Sequence, residues 1–314
     1  MRSSRSGSRT STASRADRKR DAVGSLRSVW VSAARPKTLT AAVAPVVMGT
    51  AIAWREGTFF ATAALAALAA ALLIQIGTNF ANDYFDGIKG ADTDRLGPTR
   101  ATQAGLVSPA AMRRAYLLCF GLAVILGAYL AARGGWPIIV IGSLAVAFGI
   151  LYTGGPRPLG YLGLGDILVL IFFGPVAVAG THYVQALRWS PIALAAGLAP
   201  GLLAVGLLTV NNLRDVAGDR AAGKRTLPAR FGPRFAQIEF ALCLLGAALI
   251  PVALALLARA PAGSLAATAV CLAGVPTLIA VLRWRPGARL SRALSGSGRL
   301  LALYALAFSI GWVL

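Results

Sequence analysis

Nine uncharged, mostly apolar runs follow one another along the chain, at residues 38–54, 58–82, 115–132, 134–156, 167–187, 189–213, 240–258, 260–282 and 300–314. They are rich in Ala and Leu and lack the apolar–polar alternation of a half-buried strand. Each approaches or exceeds the roughly 17–25 residues that carry an α-helix across a hydrocarbon core. The first and last are short, so their ends are the least sharply drawn. A spanning segment must satisfy its own backbone polar groups, and helix does this within one segment. The pattern predicts an all-α, polytopic membrane protein of about nine transmembrane helices in a single bundle.

Composition sharpens this picture. Of the 314 residues 57% are hydrophobic and only 13% charged, and the mean hydropathy is +0.68. A soluble domain carries about a quarter charged residues. The net charge is nevertheless +20, a balance that first suggests nucleic acid. Distribution excludes that partner: ten of the 31 basic residues fall in the first 37 positions, and most others sit between apolar runs. A bilayer accounts for both facts, because anionic headgroups attract juxtamembrane Lys and Arg. With the N-terminus inside, 27 Lys and Arg fall on the inner side, and only Arg55, Arg133, Arg188 and Arg259 on the outer. The positive-inside rule therefore sets a cytoplasmic N-terminus, an opposite C-terminus and a multi-pass chain in the cell (plasma) membrane. Residues 1–25 are rich in Ser and Arg and read as a disordered basic cytoplasmic tail, leaving 26–314 as the membrane domain. The first hydrophobic segment begins near Leu39 without a cleavage pattern, so no secretory signal is expected. Cys119, Cys243 and Cys271 lie within apolar runs and read as packing residues.

The eleven acidic residues are unevenly placed. Six fall in two clusters, each where an even-numbered span reaches the cytoplasmic side. The first runs from Asn79 through Asn82, Asp83 and Asp86 to Asp92 and Asp94. The second runs from Asn211 and Asn212 through Asp215 to Asp219 and Arg220. They resemble two copies of one helix-end device. Asn82 and Asp86 stand four apart, as do Asn211, Asp215 and Asp219, so each set is expected on one helical face. Like charges at that spacing repel unless a cation lies between them. Carboxylate and amide oxygens suit Mg²⁺, which bridges a few carboxylates to substrate phosphates. Lys89, Arg95, Arg220, Lys224 and Arg225 stand nearby to hold phosphate oxygens. Carboxylates for metal, cations for phosphate and an apolar bundle behind them describe a site for a lipid diphosphate.

At these residues the sequence resembles the UbiA superfamily of intramembrane prenyltransferases, which carries motifs of the form NDxxDxxxD and DxxxD on a nine-helix bundle. Asn82-Asp83-x-x-Asp86 and Asp215-x-x-x-Asp219 match them. Five residues rather than three separate Asp86 from Asp92, an insertion similar to the branch that prenylates 1,4-dihydroxy-2-naphthoate. That branch is also resembled by Arg35-Pro-Lys-Thr-Leu39, by the stretch from Arg95 through Arg100 and Gln103 to Gly105, by Tyr152-Thr-Gly-Gly-Pro, by Gly163-Leu-Gly-Asp166 and by Gly223-Lys-Arg-Thr-Leu227. The family's YxxxK-type loop element is imperfect, since the next basic residue after Tyr152 is Arg157. The resemblance implies Mg²⁺ held by Asp83, Asp86, Asp92, Asp215 and Asp219. It implies a polyprenyl diphosphate contacted by Asn79, Asn82, Lys89, Arg95, Asn211, Asn212, Arg220, Lys224 and Arg225. An aromatic acid acceptor would meet Arg35, Gln103, Tyr152 and Asp166, and prenylation with loss of CO₂ would give a demethylmenaquinone.

Several residues admit two readings. Asp166 either orients the acceptor or caps its helix, and Arg35 either meets the acceptor carboxylate or anchors the interface. Tyr84 and Phe85 either flank an allylic cation or serve as interface aromatics. His182 reads as a packed or interfacial residue, and Glu239 as a charge at a helix N-terminus. Other activities remain as alternatives: another aromatic acceptor, an ion-coupled transporter, or a CDP-alcohol phosphotransferase. The last lacks its Ala-Arg pair after Gly87, and a transporter would place acids near mid-membrane on broken helices.

Overall fold

The computed structural model describes residues 27–89, 100–286, 288 and 290–314. Asp92, Asp94 and Arg95, like the basic tail, lie outside them. All regular structure among the described residues is helical. A short helix α1 (27–34) precedes α2 (Pro36–Arg55), α3 (Ala61–Lys89), α4 (Pro109–Gly134) and α5 (Trp136–Leu151). Then come α6 (Gly165–Phe172), α7 (Pro175–Ala186), α8 (Pro191–Arg214), α9 (Val216–Ala221), α10 (Leu227–Phe231) and α11 (Pro233–Ala258). The chain closes with α12 (Ala266–Val270), α13 (Val275–Leu282) and α14 (Ser291–Val313).

Eight helical stretches are long and apolar enough to cross a bilayer, and α5, of 16 residues, is a shorter ninth. Each expected apolar run falls on one of them. The fifth span is α6 and α7 in succession, and the eighth, Ala262–Leu282, is assembled from short helical turns. Helix starts carry ordinary signals: Ser108 and Ser190 accept hydrogen bonds from Ala111 and Ala193 (both 3.2 Å), each followed by a proline in the first turn. Large exposed side chains such as Leu118, Ile125, Leu245 and Leu256 form the outward face that lipid covers.

The core is centred on α2, α8 and α14, where Met48, Ile52, Leu301, Tyr304 and Phe308 are completely buried. The Tyr304 hydroxyl donates to the Ala247 carbonyl (2.9 Å), which keeps a buried polar group partnered. Arg55 at the end of α2 donates to the Trp312 carbonyl at the end of α14 (2.9 Å). The first and last spans therefore finish on the same side. On that side His182, fully buried, shares a hydrogen bond with Glu56 (2.9 Å), and Arg188 pairs with the same carboxylate (2.6 Å). Burial alone would raise the Glu56 carboxyl, but the hydrogen bonds and charges of His182 and Arg188 outweigh it and hold it below its ordinary value.

At the other side, α1 lies across the ends of α3 and α4 with Trp30 edge-on to Phe80 (5.4 Å). Between α1 and α2 the chain turns at Arg35, whose φ of 52° is left-handed, a conformation costly for a non-glycine residue.

Candidate functional site

A single cavity of about 1790 Å³ runs through the bundle between α2, α3, α4, α5, α6, α7 and α8. One end is apolar, and the other is lined by both Asp clusters. The polar end is built first by α3, which continues past its apolar stretch and carries Asn79, Asn82, Asp83 and Asp86 to the cavity wall. These four residues are thus in helix, deeper than a loop would place them: Asp83 and Asp86 are 3% and 2% exposed.

Such burial needs partners. Both Asp83 oxygens accept backbone N–H groups, from Ala101 and Thr102 (2.9 Å each). Asp86 accepts from the Tyr161 hydroxyl (2.8 Å), from Lys224 (3.2 Å) and from the buried Arg100 guanidinium. The Thr153 hydroxyl donates to the Asn82 amide oxygen. The Asn79 amide donates to the Ala34 carbonyl (2.9 Å) and to Thr38 (3.3 Å), tying α3 to the Arg35 turn.

The second cluster departs from one continuous helical face. Helix α8 ends at Arg214 and α9 begins after Asp215, so Asp219 sits on a separate short helix. The Asp219 N–H still donates to the Asp215 carbonyl (2.9 Å), which preserves the four-residue spacing across the break. Arg214 grips Asp215 through two nitrogens (2.7 and 2.6 Å) and also reaches Asn211 (2.8 Å). Thr226 donates to Asp219 (3.2 Å). Asn211, Asn212, Asp215, Asp219 and Lys224 all line the cavity. The Lys224–Asp86 ion pair joins the two clusters directly.

Other expected residues divide. Arg35 and Tyr152 line the cavity. Burial, reinforced by the charges of Asp166 and Asp219, pushes the Tyr152 phenol well above its ordinary value, so it keeps its proton. Lys89, Gln103, Asp166, Arg220 and Arg225 are not on the wall. Lys89 donates to the Thr153 carbonyl (3.0 Å) and lies 5.1 Å from the centre of the Tyr161 ring. Arg220 is exposed and donates to the Ala229 carbonyl (3.0 Å), and Arg225 is exposed too. Asp166 is buried behind the wall in the first turn of α6. Tyr84 and Phe85 pack on Tyr116 of α4 (5.6 and 6.0 Å between ring centres) and are off the cavity wall. Glu239 is not at a helix start, because α11 begins at Pro233; it accepts from Thr209 (3.0 Å).

Arg100, Thr153, Tyr161, Arg214 and Thr226 belong to the polar end, although the cluster spacing did not single them out. Arg100, Thr153 and Thr226 lay inside the stretches that resemble the family without being assigned a role, and Arg214 was one basic residue among many at the span ends.

The donor set is hard oxygen, suited to a divalent cation such as Mg²⁺. Among the described residues no three His, Cys, Asp or Glu side chains converge on one point. Carboxylates spread over two walls fit an ion held by one or two of them plus phosphate oxygens, the usual mode for Mg²⁺, better than an all-protein cage.

Comparison with known proteins agrees with this geometry. The chain is 46% identical over 204 residues to the 1,4-dihydroxy-2-naphthoate octaprenyltransferase of Mycobacterium tuberculosis, covering 65% of this chain and 70% of that one. It is 43% identical over 232 residues to the Escherichia coli enzyme of the same name, covering 72% and 75%. Its fold matches a UbiA homologue from Archaeoglobus fulgidus bound to DMAPP and Mg²⁺, with a TM-score of 0.62 at 16% identity over 90% of this chain and 98% of that one. Residues 42–312 match the model of the UbiA prenyltransferase family, and with both Asp clusters on one cavity the chain belongs to that family.

Proposed function

We propose that this protein transfers a polyprenyl group from a polyprenyl diphosphate to 1,4-dihydroxy-2-naphthoate, with loss of CO₂, giving a demethylmenaquinol, the hydroquinone form of a demethylmenaquinone. The observation that carries the reading is one cavity with two carboxylate sets at its polar end and an apolar channel leading away. The names of the bacterial relatives support the acceptor, and the archaeal homologue with bound Mg²⁺ supports the metal. The proposed setting is the plasma membrane, with the polar end and the N-terminus cytoplasmic and the C-terminus opposite. The basic-residue count and the shared ends of α2 and α14 support that orientation.

In this mechanism Asp86, Asp215 and Asp219 would hold Mg²⁺, with Asp92 as a further candidate outside the described residues. Asn82, Asn211 and Asn212 offer amide groups beside them. An ion held there would supply stabilisation of the charge that develops on the diphosphate leaving group. Lys224, Arg100 and Arg214 surround the same space and contribute positive charge toward it. The allylic carbon–oxygen bond breaks with its electron pair going to the diphosphate. The ring carbon that bears the carboxylate then forms the new carbon–carbon bond to the allylic carbon. The bond from ring to carboxylate breaks, its electrons return to the ring, and CO₂ departs. Asp83, with both oxygens on backbone N–H groups, acts by fixing the 100–102 turn and so Arg100.

Arg35 and the protonated Tyr152, on the wall beside the clusters, are assigned to the acceptor's carboxylate and hydroxyl groups. The strained turn at Arg35 is consistent with a side chain held for use. Arg35→Ala is expected to raise the acceptor KM on the order of tenfold with a smaller change in kcat, the loss of one charge-assisted hydrogen bond. Unchanged acceptor kinetics would remove that assignment. The acceptor itself is tested by incubating purified protein with Mg²⁺, a polyprenyl diphosphate and each of several aromatic acids, reading products by mass spectrometry. Product is expected from dihydroxynaphthoate. Product from hydroxybenzoate and none from dihydroxynaphthoate would overturn the reading.

A further inference from the structure

Arg100, Lys224 and Arg214 line the polar end of the cavity, and each is engaged by Asp86 or Asp215. Lys37, in the first turn of α2, lines the same cavity and differs from them. It is exposed, and its side chain makes no ion pair or hydrogen bond among the described residues. Helix stability does not account for it. A cation in a first turn opposes the helix dipole, and no acid stands in that turn to offset it. Anchoring in lipid headgroups does not account for it either, because α2 packs inside the bundle against α3, α7, α8 and α14.

The backbone around Lys37 is fixed on two sides. Asn79 of α3 donates to the Ala34 carbonyl (2.9 Å) and to Thr38 (3.3 Å). On the other side, a Cβ on Gly298 of α14 would lie 2.7 Å from the Lys37 carbonyl oxygen. From that contact α2 and α14 run side by side to their joined far ends at Arg55 and Trp312. Ser291 opens α14 seven residues before Gly298, about 10 Å further toward the water on the side of the polar end. Ser32, Pro36, Lys37 and Ser291 all line the cavity, and among the described residues of its polar end these are the exposed ones. The polar end therefore has a mouth between the α1–α2 turn and the start of α14. Lys37 stands at its rim.

The chemistry of the two substrates decides which of them this mouth serves. A polyprenyl diphosphate is held in the membrane by its tail. The aromatic acid has no tail, carries a carboxylate charge and arrives through water, so it meets the rim before it meets the Asp clusters. A fixed cation at the rim of a cleft with low-dielectric walls raises the local concentration of an anion and its rate of arrival. Such steering amounts to about 10–10³-fold and falls steeply with ionic strength. Lys37 can exert it because no described carboxylate pairs with its charge. Arg35, assigned above to the bound acceptor, stands two residues earlier on the same wall, so Lys37 acts before Arg35 on the acceptor's path.

We infer that Lys37 is the residue that draws the acceptor's carboxylate from water into the cavity, through the mouth between the α1–α2 turn and α14. This rests on the prenyl-transfer reading above. The test measures acceptor kcat/KM for purified Lys37→Met and unaltered protein with 1,4-dihydroxy-2-naphthoate, a polyprenyl diphosphate and Mg²⁺. It is run in about 0.01 M salt, where a charge acts over about 30 Å, and in about 1 M salt, where it acts over about 3 Å. In low salt the variant's acceptor kcat/KM is expected to fall on the order of tenfold, the lower end of steering effects. The loss should lie in the acceptor KM, with kcat at saturating acceptor and the donor KM within about twofold. In high salt the two proteins should converge to within about twofold. Lys37→Arg should keep the unaltered values, and Lys37→Glu should lose more than Lys37→Met. A side chain exposed and without a described partner is replaced with little effect on folding, so the variants should purify as the unaltered protein does. An unchanged acceptor kcat/KM in low salt, or a loss that persists in high salt, overturns the steering role. A lower kcat with an unchanged acceptor KM overturns it too, and assigns the cation to the departing pyrophosphate. In each case turnover of dihydroxynaphthoate by the unaltered protein leaves the prenyl-transfer reading standing; no product from it would sink both.

Discussion

Asp86→Asn and Asp215→Asn are each expected to lower kcat on the order of 10²–10³-fold, the scale of losing one preorganised group that stabilises transition-state charge. The asparagine form is the informative one. Asp86 is the shared partner of Arg100, Lys224 and Tyr161, and Asp215 is gripped by Arg214. Removing either carboxylate outright strands buried cations, which costs about 3–5 kcal/mol in folding alone. Asparagine keeps the volume and one acceptor oxygen while deleting the charge that a metal needs. The apparent Mg²⁺ requirement should rise with the loss of kcat, and the protein should still insert and purify. Arg220→Ala is the matched control: its side chain is exposed, bonded to the Ala229 carbonyl and off the cavity wall, so turnover should stay within about twofold. Turnover near the unaltered rate in Asp86→Asn or Asp215→Asn, measured with saturating donor and acceptor, would remove the metal role of those carboxylates.

The parts of this site legible in the sequence were those with a local signature. Apolar runs of membrane-crossing length marked every span, because hydrocarbon leaves a helix little compositional freedom. Asp83, Asp86, Asp215 and Asp219 stood out because acids are scarce in this chain and expensive near a membrane. What escaped were contacts across long separations. Tyr161 reaches Asp86 from 75 residues away and Thr153 reaches Asn82 from 71, and neither pairing leaves a periodic trace. Basic residues were ambiguous for another reason. In loops crowded with Lys and Arg, spacing alone cannot separate Lys224, which faces the cavity, from Arg220 and Arg225, which do not. Arg214 was hidden as one more charge at a span end, yet its position beside Asp215 lets it bind that carboxylate through two nitrogens.

Breaks within spans were the other hidden feature, and the fifth span carries the second large prediction. Between α6 and α7 the chain passes through Gly174 with φ −117° and ψ −113°, and Pro175 opens α7. Pro175 cannot donate a backbone hydrogen bond, which favours a break there. The break is then used for close packing. A Cβ on Gly197 of α8 would lie 2.6 Å from the Pro175 Cα and 2.8 Å from its nitrogen, and one on Gly201 would lie 2.6 Å from the Leu170 carbonyl oxygen. These are backbone atoms, so no rotamer change relieves the overlap. Small residues at such crossings let helix backbones approach in a membrane, where no hydrophobic force drives association. Gly197→Ala should therefore destabilise the bundle by about 3 kcal/mol, the upper range for overpacking. In detergent this should appear as an unfolding midpoint lower by roughly 6 °C or more. Gly127→Ala, into open space, should instead be neutral or slightly stabilising by its helix propensity. Because α6 also supplies Leu168 and Val169 to the cavity wall, a bundle that yields at Gly197 should lose prenyl transfer as well. An unfolding midpoint for Gly197→Ala equal to that of the unaltered protein would show that the α6–α7 break and α8 are not packed backbone to backbone.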